Sequence, residues 1–163
     1  MKKSNLPIAI LGLGKTGLSI AKYFRSNNQK FIVYDTRKNL VLTNEIKKYI
    51  KIEDIILGEI KNNFICQHDN FIISPGFNLD KKILEEIKNN NKNIQTDIDI
   101  FNESGDKKVI CITGSNGKTT VTSIVEHILN KIGKKSKAGG NIGLPALELL
   151  YEDYEYYILE LSS

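Results

Sequence analysis

The residue types best suited to chemistry lie in a short turn, Gly-Ser-Asn-Gly-Lys-Thr-Thr at 114–120, which follows the apolar run 109–112. Backbone N–H groups of such a turn, at the start of a helix, form a concave nest for phosphate oxygens, and the helix dipole adds a favourable field. Lys118 supplies a positive charge, and Thr119 supplies a hydroxyl group for Mg²⁺. The sequence therefore predicts a phosphate-binding loop, against the alternative of a Gly-Lys turn without a ligand.

This turn departs from the general phosphate-loop pattern G-x-x-x-x-G-K-[ST]. The position five before Gly117 is Ile112, and the first glycine is instead Gly114. We therefore predict a variant of the loop. The residues predicted to bind phosphate are Gly114, Ser115, Asn116, Gly117, Lys118, Thr119 and Thr120.

A second glycine motif lies near the start of the chain. The segment 12–17, Gly-Leu-Gly-Lys-Thr-Gly, matches G-x-G-x-x-G between an apolar run and a helical pattern. Its glycines allow a tight turn and close approach of a diphosphate, and Asp35, at the end of the next predicted strand, is suited to a ribose hydroxyl. Arg37 can pair with phosphate or lie against a flat base. The motif predicts a nucleotide site without deciding which nucleotide, the alternative being simple packing of helix on strand.

Three further polar residues need separate interpretation. Glu160 ends a predicted strand in the same unit as the phosphate loop, where ligands gather in open α/β sheets, and a carboxylate there can reach Mg²⁺. A surface acid without a role is an equally good interpretation. His127 lies on the polar side of the predicted helix and His68 in a polar loop, so we expect both to be solvated.

Composition excludes several classes of protein. The net charge is +4 from 23 basic and 19 acidic residues, and the lysines are interspersed with acids, which argues against nucleic-acid binding. Cys66 and Cys111 lie far apart, without the spacing of a zinc site or a disulfide framework, so a reduced cytoplasmic setting fits best. The apolar run at 8–11 is too short for a signal peptide or a membrane span.

Strands alternate with amphipathic helices in the first ninety residues. The apolar run 8–11 precedes a helix over 17–27, and a second strand at 31–34 closes at Asp35. This βαβ unit implies parallel strands joined by a right-handed crossover, and hence an α/β fold. Further strands are predicted at 55–57 and 71–73, and further helices at 41–49 and 80–90.

A polar stretch at 87–93 and a short helix at 97–103 separate this unit from a second one. We place the boundary between about 93 and 106 and assign 1–96 and 97–163 to two domains. A phosphate-loop domain usually needs about five parallel strands, and fewer fit after residue 106, so we expect the second domain to be incomplete. Its predicted elements are strand 109–113, helix 118–132 with Ile124, Val125, Ile128, Leu129 and Ile132 on one face, helix 145–150 and strand 156–161.

Three segments carry a resemblance to a known family: 113–120, then 139–147 (Gly-Gly-Asn-Ile-Gly-Leu-Pro-Ala-Leu), and 159–163 (Leu-Glu-Leu-Ser-Ser). They resemble the Mur ligases, and within that family the branch that adds D-glutamate to UDP-N-acetylmuramoyl-L-alanine. The glycine at 114 is the usual form there. The resemblance implies a Rossmann-like N-terminal domain with a parallel sheet, followed by the beginning of a P-loop-type α/β central ATPase domain.

The resemblance also gives the first glycine motif a different ligand. In such ligases the N-terminal domain resembles a dinucleotide binder but holds the UDP part of the muramoyl substrate. ATP and Mg²⁺ are implied, with Lys118, Thr119 and Glu160 as catalytic residues and the last two as metal ligands. The implied contacts to the UDP-muramoyl substrate are Gly14, Lys15, Thr16, Asp35, Thr36, Arg37, Ser74, Pro75, Gly76 and Asn141.

The implied reaction is ATP-driven amide formation through an acyl phosphate, in peptidoglycan precursor synthesis, by a cytoplasmic monomer that binds neither nucleic acid nor membrane. Such ligases are longer than this chain and carry a further domain that grips adenine and D-glutamate. We therefore expect these 163 residues alone not to catalyse ligation.

Two alternatives stay open. The first is an oxidoreductase or nucleotide sensor that binds NAD(P) at 12–17, which explains Asp35 but leaves the loop at 114–120 without a role. The second is a non-catalytic module that retains affinity for the UDP substrate. Binding of UDP-N-acetylmuramoyl-L-alanine, NADH and ATP would separate these alternatives.

Overall fold

The structure, a computed structural model, describes Met1, residues 4–60 and residues 62–162. Ser163, the last residue of the segment 159–163, lies outside the described residues. The chain divides into two compact units, Met1–Asp97 and Ile98–Ser163. Each contains its own parallel sheet, and each is described by itself.

The first unit is a doubly wound α/β layer structure. Its five strands follow the order β3-β2-β1-β4-β5, and all neighbours are parallel. The strands are β1 Ile8–Leu11, β2 Phe31–Asp35, β3 Ile55–Leu57, β4 Asn70–Ile73 and β5 Asn93–Gln95; the helices are α1 Lys15–Ser26, α2 Asn44–Tyr49 and α3 Lys81–Asn89, with short 3₁₀ helices at Ile52–Asp54 and Asn62–Gln67.

The order of the strands places a topological switch point between β1 and β4. The chain moves outward from β1 through β2 to β3, and then returns to pair β4 with the other side of β1. In open α/β sheets, ligands bind at the carboxyl ends of the strands at such a point. β1 is apolar and buried along its whole length, as a central parallel strand covered on both faces must be.

The second unit is smaller. It contains α4 Asp97–Glu103, whose first residue still belongs to the first unit, then β6 Val109–Ile112, α5 Lys118–Lys131, β7 Ser136–Gly140, a 3₁₀ helix at Ala146–Tyr151 and β8 Tyr156–Glu160. The three strands are parallel, in the order β6-β8-β7. Among the described residues of both units, no helix is long and apolar enough to cross a bilayer.

The predicted α/β class and most of the predicted elements are confirmed, with three differences. β5 and β7 lack the apolar runs that identified the other strands, and the helix expected at 145–150 is a 3₁₀ helix. The predicted apolar face of α5 is only partly covered: Ile124, Ile128 and Ile132 are more than half exposed. The sheet of the second unit has three strands, compared with five in the first unit. It therefore covers less of a helix, and the apolar face of α5 extends beyond it.

Candidate functional site

A pocket of about 390 Å³ opens at the switch point of the first sheet. It lies beyond the carboxyl ends of β1, β2 and β4, and each of these strands contributes the loop that follows it. The residues that line it are Gly12, Leu13, Gly14, Asp35, Thr36, Arg37, Ser74, Pro75, Gly76, Phe77 and Asn78.

The glycines of the first motif have distinct physical roles. Gly12 turns the chain with a φ of +99°, a conformation that favours glycine. An added Cβ at Gly17 would lie 1.8 Å from the carbonyl oxygen of Gly12, so only glycine lets α1 pack this closely against the end of β1. Gly14 lines the pocket and has no atom within 4 Å of an added Cβ. A ligand can therefore approach the backbone there.

Asp35 and Arg37 form the charged part of this pocket. Asp35, the last residue of β2, is 3% exposed, while the Arg37 side chain is 55% exposed. The guanidinium Nη2 lies 2.7 Å from Asp35 Oδ2 and 3.0 Å from the Leu13 carbonyl oxygen. Side-chain hydrogen bonding from Arg37, which outweighs the cost of burial, lowers the pKa of Asp35 to about 2. The carboxylate is therefore charged throughout the ordinary pH range.

The remaining predicted substrate residues of the first unit divide into two groups. Ser74, Pro75 and Gly76 line the pocket in the turn after β4, where the Ser74 N–H donates to the Leu11 carbonyl oxygen at 2.9 Å. Lys15 and Thr16 lie in the first turn of α1 and are not among the lining residues. Four lining residues were not among the predicted contacts. Gly12 and Leu13 lie in the motif at 12–17, and Phe77 and Asn78 directly follow Ser-Pro-Gly; these positions were the available signal.

The predicted phosphate loop lies between β6 and α5 in the second unit. Gly117 caps α5 with a φ of +74°, and Lys118 is the first helical residue. The Lys118 ammonium group donates to the Gly114 carbonyl oxygen at 2.5 Å, so the lysine folds back over the loop. Ser115, Asn116, Thr119 and Thr120 are exposed. The loop thus has the strand-turn-helix context that phosphate binding requires.

Glu160 is buried at the same edge of the second sheet. It is the last residue of β8, pairs in register with Ile112 at the end of β6, and is 5% exposed. Its Oε2 atom is buried with no hydrogen-bond partner among the described residues. A buried carboxylate oxygen without a partner is costly unless a cation is bound, so Glu160 fits a Mg²⁺ ligand. The described residues contain no cluster of three or more His, Cys, Asp or Glu side chains that could hold a metal unaided.

Asn141 follows β7 at this edge. Its backbone N–H donates to the Glu160 carbonyl oxygen at 2.9 Å, and the residue is exposed. The approach of β7 to β8 depends on glycine, because an added Cβ at Gly140 would lie 2.5 Å from the same carbonyl oxygen. The edge of the second sheet therefore brings together the phosphate loop, Glu160 and Asn141.

The two histidines have opposite environments. His127 is exposed, as predicted. The prediction for His68 is wrong: the residue is fully buried, with Nε2 2.7 Å from the Tyr34 hydroxyl and Nδ1 2.7 Å from the Pro7 carbonyl oxygen. Its polar neighbours in sequence concealed the aromatic cage that Tyr34, Phe64 and Phe71 build around it.

Comparison with known sequences settles the family. Residues 7–96, more than half of the chain, match the domain described as "Mur ligase MurD-like, N-terminal domain". The chain belongs to the Mur ligases. Residues 112–163 match a second component of this family, the Mur ligase middle domain. The resemblance drawn from the motifs is thereby confirmed.

Among its Mur ligase relatives are the UDP-N-acetylmuramoylalanine--D-glutamate ligases of two bacteria. The chain is 40% identical to that of Coxiella burnetii (strain RSA 331 / Henzerling II) over 155 residues, covering 94% of this chain and 35% of the relative. It is 39% identical to that of Haemophilus influenzae (strain PittGG) over 159 residues, covering 98% of this chain and 36% of the relative. The chain thus spans about a third of the length of these relatives.

Solved structures agree on the fold. The UDP-N-acetylmuramate-alanine ligase MurC of Thermotoga maritima is similar with a TM-score of 0.50 at 22% identity, over 97% of this chain and 37% of that one. A murein peptide ligase of Psychrobacter arcticus 273-4 is similar with a TM-score of 0.52 at 16% identity, over 96% of this chain and 37% of that one.

Proposed function

We propose that these residues supply the UDP-substrate site and the ATP phosphate loop of a ligase that joins D-glutamate to UDP-N-acetylmuramoyl-L-alanine. The supporting relatives, about 40% identical over nearly the whole chain, carry that activity in their names. The observation that carries the proposal is the pocket at the switch point, which combines an open glycine backbone at Gly14 with the guanidinium of Arg37. Both features suit a nucleoside diphosphate.

In the proposed complex the UDP part of the substrate occupies this pocket. The first turn of α1 has backbone N–H groups without partners in the helix, and Lys15 there adds positive charge for the diphosphate. Asn141, in the second unit, is proposed to contact the same substrate. The other contacts are assigned to Gly14, Thr16, Asp35, Thr36, Arg37, Ser74, Pro75 and Gly76.

The second unit is proposed to hold the phosphates of ATP. Lys118 and the amides of 114–120 surround the transferring phosphoryl group and stabilise its charge, which is the main contribution a protein makes to such transfers. Thr119 and Glu160 would hold Mg²⁺, which neutralises phosphate charge when bound. The buried, unpartnered Oε2 of Glu160 is what supports this assignment.

The proposed reaction needs activation because a carboxylate is a poor electrophile. Phosphoryl transfer to the carboxylate of UDP-N-acetylmuramoyl-L-alanine gives an acyl phosphate, which the amine of D-glutamate attacks with loss of phosphate. We expect the protein to act as a cytoplasmic monomer. We expect no ligation by the 163 residues alone, since they match only about a third of the relatives. Amide formation by this chain at the rate of a full-length relative would refute that expectation.

Calorimetry tests the binding part of the proposal on the chain as it stands. Titration with UDP-N-acetylmuramoyl-L-alanine should give a binding isotherm, and titration with NADH should give none. NADH binding without binding of the UDP-sugar would overturn the proposal and favour a dinucleotide-binding protein.

A matched pair of variants locates the binding. Gly14→Ala adds a methyl group in open space at a φ of −90°, so the fold should be unaffected while the diphosphate loses its close approach. Thermal unfolding followed by circular dichroism should match the wild type, and affinity for the UDP-sugar should fall about tenfold or more, an interaction of ~1.4 kcal/mol. The control Gly133→Ala lies after α5, outside the pocket, at a φ of +80° that strains alanine, so it should lower the unfolding temperature and still leave that affinity unchanged. Equal affinities in the wild type, Gly14→Ala and Gly133→Ala would show that the ligand binds outside this pocket.

A further inference from the structure

The outer edge of β7 is occupied by side chains of α5. An edge strand normally presents a row of unpaired N–H and C=O groups to any further strand. Here Asn130 Oδ1 accepts from the Ser136 N–H at 3.1 Å, and Asn130 Nδ2 donates to the Ser136 carbonyl oxygen at 3.3 Å. Glu126 Oε1 accepts from the Ala138 N–H at 3.2 Å. We call these two side chains, Glu126 and Asn130, the α5 clamp.

The last outward N–H group of β7 has a partner as well. Alternate residues of a strand direct their backbone groups to opposite sides, and those of Ser136, Ala138 and Gly140 point away from β8. The Gly140 N–H donates to the Leu144 carbonyl oxygen at 2.8 Å. All three outward N–H groups of β7 are therefore occupied, and this edge of the sheet is closed to a further strand.

The outer edge of β6, at the other side of the sheet, is open. The carbonyl oxygens of Lys108 and Ile112 each accept from an N–H group of the β8 segment at 2.9 Å. The backbone groups of the alternate residues, Val109 and Cys111, consequently point to the outer edge. Within the described part of the chain, no strand pairs with β6 on that side.

An apolar stripe on α5 faces the same side as the open edge. It consists of Val121, Ile124, Ile128 and Ile132, which are between 48% and 66% exposed. Residues two apart on a helix point about 200° apart, so Ile124 and Ile128 lie on the flank opposite to Glu126, which contacts β7. Because β8 lies between β7 and β6, that flank is on the β6 side.

We infer that this chain binds a second copy of itself through the open edge of β6 and the apolar stripe of α5. Since the edge of β7 is closed, a strand contact between two copies joins β6 to β6. Such a contact uses the same surface on both copies and is two-fold symmetric, with the two strands antiparallel. Both α5 helices then lie on one face of the joined sheet, with their stripes toward each other.

The size of this surface sets the strength of the contact. A strand of four residues and one helix flank fall in the small class of interfaces, about 1,200 Å² or less in total, which are weak and reversible. We therefore expect dimers at micromolar concentrations and above. The monomer expected in the proposed function concerns a ligase of which this chain covers about a third, whereas the contact inferred here concerns this chain.

Sedimentation velocity over a concentration series tests the contact. The apparent mass should rise with concentration from 18.4 kDa toward twice that value. Ile128→Lys places a charge in the stripe and should raise the dissociation constant about tenfold or more. The matched control is Ile52→Lys, at a position 63% exposed in the first unit, which should dimerise like the wild type. A wild-type monomer at every concentration, or equal weakening by both variants, would overturn the inference.

The exposed thiol of Cys111 reports whether β6 forms the contact. In an antiparallel pair centred on β6, the two copies of Cys111 lie opposite or diagonally, with Cβ atoms about 5 to 8 Å apart. A short bis-maleimide should therefore cross-link the Cys66→Ser protein as a dimer, and the yield should fall when Ile128→Lys is added. The control Cys111→Ser keeps the exposed Cys66 and should give no dimer. Equal cross-linking through either cysteine would overturn the assignment to β6.

Removal of the α5 clamp tests why the association stops at two copies. Glu126→Ala with Asn130→Ala keeps good helix formers in α5 but opens the edge of β7, so that β6 of one copy can join β7 of the next. Such a head-to-tail contact repeats, and species larger than a dimer should appear. If the double variant does not fold by circular dichroism, Asn130→Ala alone should show the same growth to a smaller extent. Folded variants that stop at dimers would overturn the role of the clamp.

This inference does not rest on the proposed function, and the two can fail separately. A chain that binds UDP-N-acetylmuramoyl-L-alanine but stays monomeric would overturn the self-association alone. A chain that dimerises through Cys111 without binding any uridine compound would overturn the proposed function alone.

Discussion

Each sheet has a buried carboxylate at the carboxyl end of one strand, and the two carboxylates differ in their hydrogen bonding. Asp35 is the last residue of β2 and Glu160 is the last residue of β8; their exposed fractions are 3% and 5%. Asp35 accepts four hydrogen bonds from its own unit, whereas the buried Oε2 atom of Glu160 has no partner in the part of the chain that the structure describes. In the first sheet the carboxylate is thus paired within its own unit, whereas in the second a buried carboxyl oxygen is left for the cation that we propose.

The basic residues of the two predicted sites also differ in their partners. Arg37 is held by a charged partner, while Lys118 donates to a neutral carbonyl oxygen, that of Gly114. A neutral acceptor holds an ammonium group more weakly than a carboxylate does. A phosphate can therefore draw Lys118 away from its partner more easily than it can draw Arg37 away from Asp35.

The largest effect we expect comes from a glycine at a close backbone contact within each unit. Gly17→Ala places a methyl carbon 1.8 Å from a backbone oxygen in the first unit, and the backbone cannot move away without breaking the pairing of β1. We expect a loss of about 3 kcal/mol or more in the free energy of unfolding, measured by urea denaturation. The corresponding change in the second unit is Gly140→Ala, with a contact of 2.5 Å and a φ of +98°. It should cost less, because that sheet is smaller and freer to adjust.

Hydrogen exchange of peptides from each unit would assign these losses. A Gly17→Ala protein as stable as the wild type would show that the close approach of α1 to β1 is not rigid, and would weaken the contrast between the two sheets.

The second prediction exchanges each carboxylate for its amide. Asp35→Asn should destabilise the first unit by about 2 kcal/mol, because the folded state lowers the pKa of Asp35 from 3.8 to about 2. A lowered pKa means that this contribution is present above pH 3.8 and is lost as the pH falls toward 2. Glu160→Gln should cost less than Asp35→Asn, because it breaks no hydrogen bond at the buried Oε2 atom, which has no partner among the described residues.

Urea unfolding at pH 7 and at pH 3 would measure both variants. Similar losses in Asp35→Asn and Glu160→Gln at pH 7 would contradict the proposed difference between the two edges.

The sequence allowed prediction of the parts that depend on local pattern. The glycine motif at 12–17, the loop at 114–120 and the apolar strands were all recognisable, because each is set by neighbouring residues. β5 and β7 were not, since Asn93–Gln95 and Ser136–Gly140 become strands only through pairing with distant partners. The burial of His68 was invisible for the same reason, since its partners Tyr34 and Pro7 are distant in sequence. The pairing of Arg37 with Asp35 is local, but the sequence indicated a phosphate or a base as the partner of Arg37.

A third prediction uses the two histidines. Burial lowers the pKa of His68 below its ordinary value of 6.5, with a smaller contribution of the same sign from Lys92 and opposing contributions from the Pro7 carbonyl and Asp69. The unfolded chain therefore binds a proton below pH 6.5 that the folded chain does not. Full stability is present above pH 6.5, and it should fall by at most ~1.4 kcal/mol per pH unit as the pH decreases further.

The matched control is the exposed His127. His68→Asn should remove this part of the pH dependence between pH 7 and 5, while His127→Asn should leave it unchanged in thermal unfolding scans. Identical pH profiles in both variants would show that His68 titrates normally and that its cage admits water.

The smallest expected effect tests the free oxygen of Glu160 directly. A ligand that binds only the folded state stabilises it by RT ln(1 + [L]/Kd), about 1.4 kcal/mol at ten times Kd. Mg²⁺ should therefore raise the unfolding temperature of the second unit in the wild type and not in Glu160→Gln, with Asp35→Asn as the variant that should keep the response in that unit. Because Asp35 already has its four donors, its unit should show no Mg²⁺ effect at all. A response that survives in Glu160→Gln would assign the cation to another site and remove the contrast between the two carboxylates.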